Sequence, residues 1–326
     1  MSWDYLANRV LEGQPITRDE AMSVLNADDD QLLAVLNAAF RVRERYFGRD
    51  VRIHVLQNAK SGVCPEDCSF CSQSLSADSG VERYRMQSVD ELVAGAKKAH
   101  EMGASTYCMV TATRGPSSNE LATVCEAVRR IKEEMPLRVC TSLGILKPEE
   151  ATQLAEAGVD RFNHNLESSK RFFPEICSTH SWQDRVDTIR AAKNAGMEAC
   201  CGGIVGMGEG KEDRVAMAFE LRELEVESIP INFLDPRPGT PLGERERLSP
   251  ADCLKTLAMF RLVNPTRDLR VAGGREEALR SQQPLALYVA NSIFAEGYLT
   301  TGGQGVDSDM AMIRDAGFQV AEVVPG

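Results

Sequence analysis

The sequence predicts an α/β fold, a (β/α)8 TIM-type barrel with an N-terminal helical extension. Three observations lead there. Helix starts and stops alternate with short strand-like runs, eight such runs can be counted, and 326 residues suit one such barrel. Eight repeated βα units favour a closed barrel over an open doubly wound sheet.

The elements follow in order. Residues 1–45 read as a helical lead-in, followed by a strand at 51–56. Ser88-Val-Asp-Glu91 is a capping box whose helix stops at Gly103, and a strand at 105–110 comes next. Ser117-Ser-Asn-Glu120 opens a helix running towards Met135-Pro136, before a strand at 137–142. Lys147-Pro148 starts a third helix with proline at its first position, ending at Gly158. A strand at 160–166 leads to the box Ser181-Trp-Gln-Asp184, whose helix stops at Gly196. Strands follow at 197–205 and 228–234. Ser249-Pro250-Ala-Asp252 then begins a helix that ends before Asn264-Pro265. Strands at 268–272 and 297–301 complete the set, and 306–326 reads as a C-terminal cap. No Pro/Ser-rich linker divides the chain, so 46–305 is the barrel of one domain that includes extension and cap.

Composition narrows the function. Apolar residues make up 43% and charged ones 26%, an ordinary globular balance. With 37 Lys+Arg against 48 Asp+Glu the net charge is −11, which disfavours non-specific nucleic-acid binding and anionic membranes. No apolar run approaches the roughly 18 residues of a membrane span. The opening Met-Ser-Trp-Asp-Tyr-Leu has neither a basic nor an apolar signal region, so a secreted location is not expected. Ten cysteines in such a chain point to metal or redox chemistry rather than disulfides, and only four histidines leave sulfur as the main ligand.

Parallel strands are usually continuous apolar runs, yet several here carry polar residues. Cys108, the set Arg138, Cys140 and Ser142, the set Asn163, Asn165 and Glu167, and also Cys200 and Asn232 lie in strands or at their ends. Within each strand the members share parity and so face one side. If that side is the lumen, the barrel encloses a polar, sulfur-lined cavity, which is costly unless it holds something. His164, between two lumen-parity residues, is expected to point outward as a packed histidine.

The strongest motif is Cys64-Pro-Glu-Asp-Cys68-Ser-Phe-Cys71, directly after the first strand. Three thiolates within eight residues can wrap one face of a [4Fe–4S] cluster and leave one iron open. A structural zinc site wants a fourth ligand in paired spacing, and a thioredoxin-like motif uses only Cys68 and Cys71. Both readings stay open on spacing alone.

This C-x3-C-x-aromatic-C run after the first strand of a βα barrel resembles the radical S-adenosylmethionine (SAM) superfamily. The run Gly202-x-Ile204-x-Gly206-x-x-Glu209 resembles its adenine-side motif. A dinucleotide reading of Gly206-Met-Gly208 fails, because Lys211 stands at the third glycine. The resemblance implies that SAM chelates the open iron and is cleaved to methionine and a 5′-deoxyadenosyl radical, with Phe70 and Ile204 beside the adenine.

A closer resemblance, to the biotin synthase family, rests on further segments. They include Gly62-Val-Cys64 through Gln73, Tyr107-Cys108-Met109, Val139-Cys140-Thr-Ser-Leu-Gly144 and Phe162-Asn-His-Asn-Leu-Glu167. Ala199-Cys200-Cys-Gly-Gly, Pro230-Ile-Asn232, Gly239-Thr-Pro-Leu242 and Ala272-Gly-Gly-Arg275-Glu276 complete them. It implies a [2Fe–2S] cluster held by Cys108, Cys140, Cys200 and the guanidinium of Arg275. On its own chemistry, Arg275 would be read as a salt-bridge partner of a carboxylate. The resemblance further implies sulfur insertion into dethiobiotin to give biotin, the last step of biotin biosynthesis. In that reaction the [4Fe–4S] cluster generates the radical and the [2Fe–2S] cluster donates the sulfur. Asn165 and Glu167 match SAM-binding positions; Asn232, with Asn163, matches the substrate side. Read alone, these amides would equally serve as buried groups satisfying strand-end backbone.

Cys200 is favoured over its neighbour Cys201 as ligand; Cys125, Cys177, Cys201 and Cys253 are expected to be structural. The resemblance also implies a flavodoxin- or ferredoxin-type reductant, iron–sulfur assembly machinery, a homodimer and a cytoplasmic setting, none of which any motif encodes. The rival readings are a related hydrogenase maturase, a non-enzymatic iron–sulfur carrier and a zinc-binding structural protein.

Overall fold

The computed structural model describes residues 2–322. Strands β1 (Asp50–Lys60), β2 (Thr106–Thr111), β3 (Arg138–Ser142), β4 (Arg161–Asn163), β5 (Glu198–Cys200), β6 (Gly203–Val205), β7 (Ser228–Phe233), β8 (Asp268–Val271) and β9 (Ser292–Phe294) pair in parallel. β9 closes on β1 through Arg52↔Ser292 and His54↔Phe294. β5 and β6 share one of the eight barrel positions, both pairing with β7.

The helices begin where their caps place them. Ser88, Ser117 and Ser181 each accept the N–H of the residue three positions on, and that residue's carboxylate accepts the cap's N–H in return. The expected run at 197–205 is broken at Gly202. A side-chain carbon there would lie 1.9 Å from the Pro230 carbonyl oxygen, so the chain passes too close to β7 for anything but glycine. The helix Lys211–Glu223 has only Gly210 at its N-cap, and it was not expected from the sequence.

The expected eighth strand is corrected. Residues 297–301 form the start of an antiparallel hairpin, Gly297–Tyr298 with Thr301–Gly302, while the barrel closes through β9. The lead-in comprises helices Trp3–Leu11, Arg18–Leu25 and Leu32–Phe47; the last two lie against the helix Pro250–Val263. That helix is therefore buried on all sides from Cys253 to Val263. Past the hairpin, the helix Val306–Asp315 leads to Gln319–Val320, which pairs with the start of β1. Residues 323–326 of the expected cap lie outside the described residues. Among the described residues no helix is long and apolar enough to cross a membrane.

Candidate functional site

The polar strand residues converge on the lumen, which with the loops above it forms a cavity of about 280 Å³. It is bordered by Cys64, Cys68, Cys71, Cys108, Cys140 and Cys200, and by Phe70, Asn163, Asn165, Glu167, Ile204 and Asn232. All ten cysteines are free thiols.

Cys64, Cys68 and Cys71 ride on the loop after β1. Its turns are set by Cys71 N–H to the Cys68 carbonyl at 3.0 Å and Leu75 N–H to the Cys64 carbonyl at 2.9 Å. Ser69 N–H donates to the Ile176 carbonyl and Asp78 N–H to the Gly239 carbonyl, both at 2.9 Å, tying this loop to the loops after β4 and β7. Burial pushes the Cys71 thiol up to about 11. The Cys68 sulfur lies 3.8 Å from that of Cys177, and this hydrogen bond, with burial, raises the Cys68 thiol.

The second set is built by register. Cys108 and Cys140 are direct partners across β2 and β3, and Cys200 partners Asn163 across β5 and β4. The three thiols form their own buried cluster beside Leu56 and Val110. Hydrogen bonding to Cys108 and burial hold Cys140 well above the ordinary thiol value. Hydrogen bonding to Cys140 and burial do the same for Cys200, against the guanidiniums of Arg270 and Arg161. Cys201 points the other way, into the main core.

The structure places Arg275 away from the lumen thiols. Arg275 opens the short helix Arg275–Leu279, and its guanidinium faces Asp309 at 2.8 Å and Glu276 at 2.9 Å. It does not border the cavity, and its pairing is the carboxylate salt bridge its chemistry suggests. Arg270 on β8 is the arginine beside the thiols, with Nη1 3.7 Å from the Cys200 sulfur. Its Nη2 faces His54 Nε2 at 3.1 Å and donates to Ser228 Oγ at 3.0 Å, while its Nε is buried without a partner among the described residues. A signal for it existed: Asp268, Arg270 and Ala272 share parity on the strand, whereas Arg275 lies beyond the strand's end.

Both donor sets fit iron–sulfur clusters in kind. Each offers three thiols and no competing disulfide, and the lumen set has a guanidinium whose buried Nε is unsatisfied.

Between the two sets lie the amides and Glu167. Asn165 Oδ1 accepts from Gly202 N–H at 3.1 Å, and its Nδ2 donates to Glu167 at 3.4 Å. Glu167 adopts φ 65° and faces Arg185 at 3.4 Å. Burial raises its carboxyl, against Arg185. Asn232 donates to the Gly203 carbonyl and accepts from Gly273 N–H, so it satisfies backbone while bordering the cavity. Asn163 donates to Ser142 Oγ at 3.3 Å. His164 is buried beside Phe162 as a packed histidine, and it also borders the cavity. Glu209 of the glycine motif lies elsewhere. Its carboxylate accepts the N–H groups of Gly206, Met207 and Gly208 and pairs with Arg214, shaping the turn after β6. Only Ile204 of that motif reaches the cavity among the positions assigned to it.

Residues 59–221 match the Radical SAM superfamily, and residues 230–319 match the Biotin and Thiamin Synthesis associated domain. The biotin synthase of Salinibacter ruber is 60% identical over 325 residues, covering 100% of this chain and 90% of the relative. That of Anoxybacillus flavithermus is 50% identical, covering 98% and 97%. Among solved structures, methylornithine synthase superposes with a TM-score of 0.86 at 21% identity over 98% of both chains. An FeFe-hydrogenase maturase from Carboxydothermus hydrogenoformans does so at 0.81 and 18%, covering 97% of this chain and 78% of that one. At such identities these two speak for the fold alone.

Proposed function

The chain belongs to the biotin synthase family of radical SAM enzymes, and from that premise we propose that it inserts sulfur into dethiobiotin to give biotin. Family membership brings SAM, a [4Fe–4S] cluster and a [2Fe–2S] cluster as cofactors. When bound, these supply radical hydrogen abstraction at unactivated carbon and a source of sulfur.

The observation that carries the reading is the pair of three-thiol sets on one cavity, one on the loop at its mouth and one within the lumen. Cys64, Cys68 and Cys71 would hold the [4Fe–4S] cluster, the Cys68 side chain turning from Cys177 to do so. Cys108, Cys140 and Cys200, with Arg270 in the place given to Arg275, would hold the [2Fe–2S] cluster. Hydrogen bonds between the thiols, with burial, disfavour ionised Cys140 and Cys200; Arg161 opposes this at both and Arg270 at Cys200, favouring the thiolates that metal binding requires.

Phe70, Ile204, Asn165 and Glu167 would position SAM between the sets. Arg185, which donates to the Asn165 carbonyl at 2.8 Å and faces Glu167, holds that end of the site in place. Asn163 and Asn232 would meet the substrate from β4 and β7. Leu56, Val110 and Phe294 line the lumen around them and keep water from the reacting carbons.

Anaerobic incubation of the reconstituted protein with SAM, dethiobiotin and a one-electron reductant tests the reading. Formation of biotin together with 5′-deoxyadenosine is expected. SAM cleavage with dethiobiotin unchanged would keep the radical chemistry and overturn the substrate.

A further inference from the structure

Cys177 takes no part in either thiol set, yet it lies against one of them. It follows the 3-10 turn Phe173–Glu175 beyond β4, is 6% exposed, and has its sulfur 3.8 Å from that of Cys68. The main chain builds this closeness. The Asp67 carboxylate accepts Ser178 N–H at 2.9 Å and Thr179 N–H at 3.2 Å, and Ser69 N–H donates to the Ile176 carbonyl at 2.9 Å. Residues 67–69 are thereby clamped to residues 176–179. Cys177 Sγ in turn lies 3.2 Å from Asp67 Oδ1 and 3.3 Å from His180 Nδ1.

Cys68, Cys177 and His180 lie close enough together to suggest a metal site. The histidine's bonding argues against it. Arg185 Nε donates to His180 Nε2 at 3.0 Å, so the ring proton of a neutral His180 sits on Nδ1, which faces the Glu66 carboxylate. Neither ring nitrogen is left with a free lone pair for a cation. What remains is a pair of neighbouring thiols, one on the cavity wall and one behind it.

We propose that Cys68 and Cys177 form a thiol–disulfide exchange site that closes when the chain lacks its [4Fe–4S] cluster. The co-reactant is a low-molecular-weight disulfide such as oxidised glutathione. Cys68, the one of the two that borders the cavity and so can meet a small disulfide, loses its proton as its sulfur attacks, forming a mixed disulfide and releasing one small thiol that carries the proton; Cys177 then attacks Cys68, forming the Cys68–Cys177 bond and releasing the second. Two protein thiols are oxidised by two electrons, the small disulfide is reduced, and the two protons leave on the released thiols. The bond keeps Cys68 from irreversible oxidation and bars the cluster until a dithiol reopens it. This consequence rests on the assignment of Cys68 as a cluster ligand; the exchange itself does not.

The test uses the full chain, freed of clusters and reduced, then treated anaerobically with oxidised glutathione, alkylated and mapped by peptide mass spectrometry. A linked peptide pair joining Cys68 to Cys177 is expected, cleared by dithiothreitol. In Cys177→Ser the pair is lost and Cys68 retains a glutathione adduct. Cys68 linked instead to Cys64 or Cys71, or carrying glutathione in the wild type while Cys177 stays free, overturns the proposal. The never-oxidised variant should take up iron and sulfide at Cys64, Cys68 and Cys71 as the wild type does, which shows that it is folded. Failure of both proteins to take up that cluster would count against the cluster assignment and leave the mapped disulfide standing.

Discussion

At the floor of the lumen, Asp268 gathers a group of buried polar side chains. Its carboxylate accepts Ser292 Oγ–H at 2.7 Å and Asn291 Nδ2–H at 3.0 Å, and it faces Arg161 at 3.4 Å and Arg270 at 3.6 Å. Burial alone would raise such a group, but the guanidiniums of Arg270 and Arg161 hold it well below the usual carboxylate range. Arg270 is thus fixed against Cys200 by partners that remain when it is removed. Arg275 differs, since it is the ion-pair partner of Asp309, whose carboxylate is 1% exposed and, among the described residues, otherwise meets only Gln304. Arg275→Met should therefore lose about 3–5 kcal/mol in denaturant unfolding of the cluster-free protein, because it strands a buried charge. Arg270→Met should lose much less and instead change the visible spectrum of the lumen cluster. If the spectral change followed Arg275 instead, Arg270 would not be the arginine of that centre. Parity along 268–272 would have found Arg270 in the sequence; the motif-borne choice of Arg275 passed over the strand that carries it.

Helix starts were legible because a cap is a local contract between a side chain and the backbone three residues on. Ser117 Oγ accepts Glu120 N–H at 3.3 Å, and Glu120 accepts Ser117 N–H at 2.9 Å. Ser117→Ala should therefore lower stability by about 1 kcal/mol, read as a shift in the denaturant midpoint at unchanged slope. An unchanged midpoint would mean that packing alone holds the helix Ser118–Glu134. Barrel closure was not legible in the same way. Ser292–Phe294 is three residues long and takes its identity from hydrogen bonds to β1, some 240 residues earlier in the chain. The run at 297–301 has the better strand composition, yet it pairs only within its own hairpin. The thiol loop was legible from spacing, whereas the approach of Cys177 to Cys68 depends on how the loops after β1 and β4 meet.

On the scale of the whole molecule, two buried histidines, His54 and His164, leave a pH signature. Burial first, then Arg270, lowers His54 well below 6.5; burial first, then Arg185, does the same for His164. Both are neutral in the folded chain at pH values where the unfolded chain would protonate them. Their contribution is complete above pH 6.5 and declines as the pH falls below it, by up to about 1.4 kcal/mol per pH unit for each histidine. The Tm of the cluster-free protein should fall between about pH 7 and about pH 5.5. A flat profile would mean that these histidines are not held neutral. The eight-position barrel was legible because its βα units repeat. The lumen became legible only when one parity carried cysteine, asparagine and arginine where apolar residues were expected.

The proposed chemistry requires that one cavity serve two separate clusters. Anaerobic iron, sulfide and optical analysis of the wild type beside Cys140→Ala tests it most directly. One [4Fe–4S] and one [2Fe–2S] cluster in the wild type, with only the [2Fe–2S] cluster lost in the variant, is the predicted result. A single cluster in the wild type that Cys140→Ala leaves untouched would contradict it.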